Sequence, residues 1–262
     1  QGNKDVLQFQ AEKDSDLPDG LLAETAIARL AQYSKTSKPF FLGLGFFKPH
    51  LPFVATKGDW DAFADVTIPP PKYPRKPDSQ YYHGSGEFFK YSFPFDKKRP
   101  LSDQKIHDLR RAYLACVRYT DRQVGKVLLA LDQFELADNT VVVLWGDHGW
   151  KLGEHGCWCK HTNVQLDTRS PLIMVAPQQK SVGDAIASPV EFVDIYPTLC
   201  DLAGFDKPRH LEGDSFAELL QATDCPRKRA AFSQYPRGNV MGYSMTTDRF
   251  RYTVWVDQKK GN

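Results

Sequence analysis

The sequence lacks any run of about 18 apolar residues, so we predict no membrane-spanning helix. It also lacks a strong charge imbalance, since 34 Lys and Arg residues face 32 Asp and Glu residues. Nucleic acid is therefore not an expected partner, and attraction for an anionic ligand must come from a local cluster of cations. The five cysteines are odd in number and too few to form a disulfide framework in 262 residues.

The composition is that of a globular protein, with 41% hydrophobic and 25% charged residues. A chain of 262 residues can bury a large core, and it is long enough for one large domain or for one domain with a small appendage. Aromatic residues make up 13% of the chain, and there are 18 prolines. Both features favour long structured loops around a rigid scaffold.

Hydrophobic periodicity predicts two helices in the first half of the chain. The first covers residues 21–32, and the second begins at the N-cap Ser102 and runs to about Leu131. Between them, the apolar run at residues 39–46 is typical of a buried strand of a parallel sheet. Residues 51–100 are rich in proline, glycine and aromatic residues, which predicts a long functional loop.

The middle of the chain alternates strand and helix. We predict strands at residues 141–145 and 172–176, followed by a helix at residues 193–202 that stops at Gly204. This alternation favours an α/β fold, with a doubly wound, mixed or parallel sheet flanked by helices.

The pattern changes beyond residue 230. Two further strands, at residues 241–246 and 249–256, predict a hairpin of a small antiparallel β subdomain. We therefore expect one domain over residues 1–229 and the start of a second over residues 230–262.

Polar residues follow two of the predicted strands, at the point where each strand ends. Lys48 and His50 follow the first, and Asp147 and His148, flanked by glycines, follow the second. Ligands of open α/β sheets bind at the carboxyl ends of the strands. A carboxylate beside an imidazole on such a turn can bind one metal ion. Alternatively, the aspartate caps the turn and the histidine bonds to the backbone.

Lys48 and His50 are weaker indicators when taken alone. A single lysine is usually a solvated charge, and a single histidine is usually a hydrogen-bonded packing residue. Beside a metal ion, however, the pair would hold a tetrahedral anion and offer a proton donor near neutral pH.

Four potential zinc ligands lie close together, at His155, Cys157, Cys159 and His161. Structural zinc sites need about two to four residues between paired ligands, and here a single residue separates each ligand from the next, so we do not expect zinc. Lys160 is more informative, because it is a cation on the loop that follows the Asp-His turn.

Motifs along most of the chain resemble, in the correct order, the sulfatase family of the alkaline-phosphatase superfamily. They lie at residues 40–53, 111–132, 146–156 with Lys160, 193–204, 233–237, 241–244 and 251–256. The last three segments are similar to the iduronate-2-sulfatase branch of that family in particular. The resemblance implies an alkaline-phosphatase-like α/β fold with a small C-terminal antiparallel β subdomain.

The resemblance also implies a role for each matching residue. Asp147 and His148 match ligands of a divalent cation, normally Ca²⁺. His50 and Lys160 match residues that contact the sulfate, and either one could protonate the leaving oxygen. Lys48 is a neighbouring candidate for substrate binding.

These residue types suit sulfate-ester cleavage, in which negative charge moves onto the sulfate oxygens and a departing alkoxide. A fixed metal cation, a lysine and a histidine stabilise that charge without reorganising. His155 and His161 either line the substrate rim or pack within their loop, and packing is the usual role of a single histidine.

The nucleophile of the family is a formylglycine made from Cys or Ser in a C/S-x-P/A-x-R motif, which has no match in this sequence. Residues 225–227 have the wrong spacing, and residues 92–96 have Asp in place of Arg. The family's first pair of metal-binding aspartates is also absent. We therefore expect both features in an upstream segment of the same protein, and we expect these 262 residues alone to bind metal weakly and to be inactive.

Two alternatives remain open. The first is a metal-dependent phosphatase or phosphodiesterase of the same superfamily, although the Lys-Pro-His motif and Lys160 favour sulfate. The second is a non-catalytic relative that binds sulfated glycans. For a sulfatase, the resemblance implies a sulfated saccharide substrate, most specifically a 2-O-sulfated uronate of a glycosaminoglycan. It also implies an extracytoplasmic location, whether periplasmic, secreted or lysosomal.

Overall fold

The computed structural model describes residues 5–7, 10–79, 82–91, 101–222 and 228–259. The motif candidates at residues 92–96 and 225–227 lie outside the described residues. The chain divides into two compact units. The first contains the described residues up to Ala137 together with Lys151–Cys159, and the second contains Asp138–Trp150 and the described residues from Lys160 onward. The predicted domain boundary after residue 229 stays a prediction.

The regular elements alternate along the chain. The helices are α1 (Pro18–Tyr33), α2 (Lys57–Asp61), α3 (Asp103–Gln133), α4 (Gln165–Thr168) and α5 (Ile195–Ala203). The strands are β1 (Val142–Trp145), β2 (Lys151–Leu152), β3 (Trp158–Cys159), β4 (Leu172–Val175), β5 (Ala231–Arg237), β6 (Val240–Thr246) and β7 (Arg251–Asp257). Short 3-10 helices lie at Asp14–Asp16, Phe88–Lys90, Ala137–Asn139, Glu154–Gly156, Phe192–Asp194 and Ala217–Leu220.

Helices α1 and α3 pack against each other in the first unit, and both were predicted. The Ser102 side chain caps α3 by accepting a hydrogen bond from the Lys105 backbone at 3.4 Å, as the sequence indicated. Leu30 of α1 and Leu109 and Cys116 of α3 are fully buried. The apolar stripe of each helix therefore forms the core of this unit.

A network of ion pairs joins α3 to the segments on either side of α1. Arg122 of α3 donates hydrogen bonds to both oxygens of Asp59 at 2.8 and 2.9 Å, and to both oxygens of Asp14 at 2.7 and 2.9 Å. Arg118 also donates to Asp59, at 2.6 Å. The Asp59 side chain is completely buried, so its negative charge is stabilised by these two arginines rather than by water.

The predicted strand at residues 39–46 is not observed. Alternate residues are exposed, but this segment has no ladder partner among the described residues. Phe41 is 85% exposed. A β-strand requires a hydrogen-bonded partner strand. In addition, Gly43 and Gly45 leave this segment with little side-chain surface for packing.

The two predicted strands of the second unit are confirmed, but their pairing is not parallel. β1 and β4 pair antiparallel, with Trp145 opposite Leu172. Sequence alternation indicates that strands exist but does not fix which strands become neighbours. The buried cluster beside this pair consists of Ile195, Phe216 and Leu219.

The C-terminal part of the second unit is an antiparallel sheet in the order β5–β6–β7. β6 ends at Thr246 as predicted but begins one residue earlier than predicted, at Val240. β7 begins at Arg251 rather than at residue 249 and ends at Asp257 rather than at residue 256. β7 begins later than predicted because a turn precedes it, in which Thr247 Oγ1 accepts a hydrogen bond from the Phe250 backbone at 2.8 Å. β5 was not predicted as a strand, because it contains Pro236 and lacks a continuous apolar pattern.

Candidate functional site

The Asp147-His148 turn follows directly after β1, as predicted. Two hydrogen bonds connect Gly146 to the segment before β4: its N–H donates to the Pro171 carbonyl at 3.0 Å, and its carbonyl accepts from Ser170 Oγ at 2.6 Å. The exit of β1 is therefore fixed, and the two polar side chains that follow leave the sheet at a defined point.

Gly149 fixes the other end of the same turn. Its N–H donates to the Asp167 carbonyl at 2.7 Å. A side chain here would place its Cβ only 1.9 Å from the Leu166 carbonyl oxygen, so only glycine fits without moving α4. The Asp167 side chain is buried and accepts a hydrogen bond from Thr162 Oγ1 at 2.5 Å. The segment after Lys160 thus supports the turn.

Asp147 and His148 present an oxygen and a nitrogen side by side. His148 Nδ1 lies 2.8 Å from the Gly149 carbonyl, which can only accept, so Nδ1 carries the hydrogen and Nε2 keeps its lone pair. Nε2 lies 3.5 Å from Asp147 Oδ2, and the Asp147 side chain is 84% exposed. These residues fit two positions of a metal site, because a backbone carbonyl already orients the imidazole for ligation through Nε2.

Two ligands do not complete a metal site. Among the described residues, no group of three or more His, Cys, Asp and Glu side chains is arranged to hold a metal ion. Ca²⁺ takes about six to eight oxygen ligands, so Asp147 and His148 can supply only part of its shell. The divalent cation therefore stays a proposal.

Trp150 lies between the metal-ligand candidate and the sulfate-binding candidate of the second unit. The Lys160 Nζ lies 4.8 Å from the centre of the Trp150 ring, which is the geometry of a cation–π contact. On the same indole, the His148 ring stacks at a centroid distance of 6.0 Å and an angle of 24°. The structure therefore brings His148 and Lys160 to one tryptophan.

The Lys48–His50 loop belongs to the first unit and is fixed by α1. The buried Asp19 carboxylate accepts hydrogen bonds from the Phe47 and Lys48 backbones, both at 2.8 Å. Thr120 of α3 donates to the Lys48 carbonyl at 3.1 Å. The two main helices of this unit thus determine where the loop begins.

The Lys48 ammonium group binds its own loop. Its Nζ donates to the His50 carbonyl at 3.1 Å and to the Pro52 carbonyl at 2.7 Å. This arrangement favours a role in holding the loop around His50 over the predicted direct contact with substrate, which stays untested.

His50 has the geometry of a proton carrier. Its Nδ1 lies 2.7 Å from the Leu51 carbonyl and must therefore donate, which leaves Nε2 as the nitrogen that gains and loses a proton. Nε2 lies 3.6 Å from Glu87 Oε1, and the carboxylate is largely buried.

The residues of the apparent zinc motif have other contacts. In the first unit the His155 ring stacks on Tyr73 at 5.9 Å and 4°, and Cys157 Sγ lies 2.7 Å from the Tyr82 hydroxyl. Cys159 is buried. In the second unit the exposed His161 lies 6.1 Å from the Tyr235 ring. His155 thus packs against Tyr73, and the expectation that it packs rather than lines the substrate rim stays a prediction.

Three residues of these two sites were not singled out from the sequence: Asp19, Glu87 and Trp150. Asp19 has the pattern of an ordinary acidic residue in the first turn of a helix. Glu87 lies near His50 only in the folded chain, so no pattern in the neighbouring sequence identifies it. Trp150 stands within the Asp-His motif, and its aromatic ring next to a predicted metal turn was a usable signal.

Comparison with known proteins gives two matching family models. One is described as Sulfatase and matches residues 3–205, and the other is described as N-sulphoglucosamine sulphohydrolase, C-terminal, and matches residues 153–260. Iduronate 2-sulfatase of Mus musculus is 31% identical, over 93% of this chain and 56% of the relative. A sulfatase of Formosa agariphila is 30% identical, over 94% of this chain and 47% of the relative. The chain thus spans about half the length of the curated relatives it matches.

Solved structures share the fold. A phosphonate monoester hydrolase of Agrobacterium radiobacter aligns over all of this chain and 58% of its own, with a TM-score of 0.76 and 18% identity. A 2-O GAG sulfatase aligns over 95% of this chain and 56% of its own, with a TM-score of 0.69 and 23% identity. These likenesses confirm the predicted α/β class with a small C-terminal antiparallel subdomain. In the part of the chain that the structure describes, no helix has the length and apolarity to cross a membrane.

Proposed function

Because this chain belongs to the sulfatase family, as its motifs predicted, we propose that the protein hydrolyses sulfuric esters of a saccharide. The substrate we propose is a 2-O-sulfated uronate of a glycosaminoglycan, on the basis of the motifs at residues 233–237, 241–244 and 251–256 and of the similarity to iduronate 2-sulfatase. The extracytoplasmic location and the upstream segment with the nucleophile are parts of the same proposal.

The observation that carries the proposal is the arrangement around Trp150. Asp147 and His148 present two metal-ligand atoms 3.5 Å apart, and the same tryptophan contacts both His148 and Lys160. A protein that only binds glycans has no need for a carboxylate and an oriented imidazole at a strand end. This arrangement supports an enzyme over the non-catalytic alternative.

Each side chain has a distinct task in the proposed reaction. Lys160 offsets the negative charge that grows on the sulfate oxygens, and Trp150 holds its ammonium group in place. His50 donates a proton from Nε2 to the departing sugar oxygen, while the Leu51 carbonyl keeps Nδ1 protonated. Lys48 holds the loop in the conformation that orients His50.

Two groups outside these residues complete the proposed chemistry. A divalent cation held by Asp147 and His148 would stabilise negative charge on the sulfate. A formylglycine in the upstream segment would supply the nucleophile.

The test is an assay of the full-length protein, with the proposed upstream segment, produced in a host that makes formylglycine. It is given a 2-O-sulfated uronate disaccharide and, separately, the matching phosphate ester, with Ca²⁺ present. We expect sulfate release from the first and at least about 100-fold less phosphate release from the second. Asp147→Asn should abolish sulfate release, because the carboxylate charge that holds the cation is lost.

The matched control is Asp138→Asn, which removes the same charge from an exposed position shortly before β1. This variant should keep full activity. Phosphate release without sulfate release would show that the protein is a phosphatase and contradict the proposed function. Binding of the disaccharide with no release of either anion would favour the non-catalytic one.

A further inference from the structure

A short basic segment stands out from the near-neutral chain. Residues 71–77 contain Lys72, Arg75 and Lys76 and no acidic residue, whereas the whole sequence carries a net charge of only +2. All three cationic residues are exposed. The sequence predicted that affinity for an anion must come from a local cluster, and this segment provides one.

The three charges are not neutralised within the part of the chain that the structure describes. None of them forms an ion pair there with a described carboxylate, and the contacts of the two lysines are with aromatic rings. Lys72 Nζ lies 5.4 Å from the centre of the Tyr73 ring, and Lys76 Nζ lies 5.5 Å from that of Tyr82. Such contacts orient an ammonium group without cancelling its charge.

The backbone of the basic segment is held on the hairpin formed by β2 and β3. The Tyr73 carbonyl accepts a hydrogen bond from the His155 N–H at 2.5 Å, and the two rings stack. Pro71 is buried against Gly153, where a Cβ would lie 2.9 Å from Pro71 Cγ. Proline fixes φ at Pro71 and again at Pro74, so the cations project from a restrained backbone.

The same hairpin connects the basic segment to the proposed proton donor, entirely within the first unit. Trp158 of β3 stacks on Phe88 at a centroid distance of 5.0 Å. The preceding residue, Glu87, is the carboxylate that lies 3.6 Å from His50 Nε2. The basic segment therefore belongs to the packed surface that supports His50.

We propose that Lys72, Arg75 and Lys76 form an accessory binding site for a sulfated polysaccharide, which contacts anionic groups of the chain beyond the residue that is cleaved. The inference rests on the proposed function for the identity of the substrate. A guanidinium group binds planar or tetrahedral oxyanions through two hydrogen bonds, and the lysines add point charges. Exposed contacts of this kind favour long polyanions and weaken as salt rises.

The test compares the protein with a triple variant, Lys72→Gln, Arg75→Gln and Lys76→Gln. At low salt, we expect KM for a sulfated polysaccharide to rise about three- to thirty-fold, since each exposed ionic contact is worth little but three act together. KM for the 2-O-sulfated uronate disaccharide should change less than about two-fold, with kcat unchanged, because the proposed accessory site binds the part of a long chain beyond the cleaved residue. In about 0.5 M NaCl the difference on the polysaccharide should largely vanish.

The matched control replaces Arg29, Lys35 and Lys38 with Gln, which removes the same charge from exposed positions in and after α1. This variant should keep both KM values. Equal losses in the two triple variants would show a general charge effect and overturn the proposal, as would an unchanged KM on the polysaccharide.

A binding measurement separates this inference from the proposed function. The chain is applied to immobilised heparin and eluted with NaCl, so turnover is not required. Earlier elution of the Lys72, Arg75 and Lys76 variant than of the control variant supports the accessory site even if no sulfate is released from any substrate. Identical elution of the two variants would contradict it even if the protein is an active sulfatase.

Discussion

Arg251 of β7 donates two hydrogen bonds to the backbone carbonyl of Asn163, from Nε at 3.1 Å and from Nη2. The Asn163 side chain in turn donates to the Gly242 carbonyl of β6 at 2.9 Å. The C-terminal sheet thus holds the loop that begins at Lys160. Burial lowers the pKa of Arg251 from its usual value, but the group remains a cation at neutral pH.

Arg251→Met should lower the free energy of unfolding by about 1–3 kcal/mol, because the buried Asn163 carbonyl loses two donors. Urea denaturation measures this change. Arg249→Met is the control, since Arg249 is exposed and its guanidinium group lies 4.9 Å from the centre of the neighbouring Phe250 ring. The loss of stability in this variant should stay below about 0.5 kcal/mol. Equal midpoints for the two variants would show that the contact does not hold the loop.

Trp150→Leu should reduce kcat/KM for the sulfated disaccharide about ten-fold, because Lys160 loses the aromatic face beneath its ammonium group. Trp150→Phe keeps a smaller aromatic face and should retain most of the activity. Steady-state kinetics on both variants give the comparison. If phenylalanine is no better than leucine, the cation–π contact is not what positions Lys160.

Arg122→Met should destabilise the first unit by about 3 kcal/mol or more, because it removes a two-point partner from the completely buried Asp59 and from Asp14. Arg118→Met is a matched comparison, since Arg118 also donates to Asp59 but is more exposed and leaves Arg122 in place. We expect it to cost clearly less in urea denaturation. The reverse order would mean that Arg118, rather than Arg122, holds the charge of Asp59.

The same network predicts how stability depends on pH. The hydrogen bonds from Arg122 lower the pKa of Asp14 well below its usual value, against the opposing effect of burial. Burial raises the pKa of Asp59, but hydrogen bonds from Arg122, Thr56 and Arg118 outweigh it and leave the pKa lowered. An unfolded chain with higher carboxyl pKa values binds more protons, so this stabilisation is present above about pH 4 and is lost as the pH falls further.

Unfolding in urea at pH 7, 5, 4 and 3 measures that loss. The Asp14→Asn variant should be less stable than the parent at pH 7 but should lose less stability between pH 5 and pH 3. If both proteins lose stability in parallel over that range, Asp14 does not titrate with a lowered pKa.

Local signals explain what the sequence predicted. The long helix α3 follows from its apolar periodicity and the Ser102 cap, and the Asp-His turn follows from a short apolar strand that ends at Trp145, just before Gly146. Both features depend only on residues that are close in sequence, so pattern and position suffice.

Contacts between distant residues could not be predicted in the same way. Arg251 and Asn163 are 88 residues apart, and Glu87 reaches His50 only through the packing of the first unit. At residues 39–46, by contrast, the sequence predicted a strand that is not observed. An apolar pattern favours a strand but does not supply a partner for it. The direction of strand pairing could not be predicted either, because it depends on which strands become neighbours. β1 and β4, which pair antiparallel, illustrate this.

The most direct test of the proposed function is sulfate release from a 2-O-sulfated uronate disaccharide by the full-length protein and by its His50→Gln variant, with His107→Gln on α3 as the control. We expect release by the parent and by the control, and a loss of about 100-fold or more in the His50 variant, because the departing sugar oxygen lacks its proton donor. Undiminished release by the His50 variant, or no release by the parent carrying its formylglycine, would contradict it.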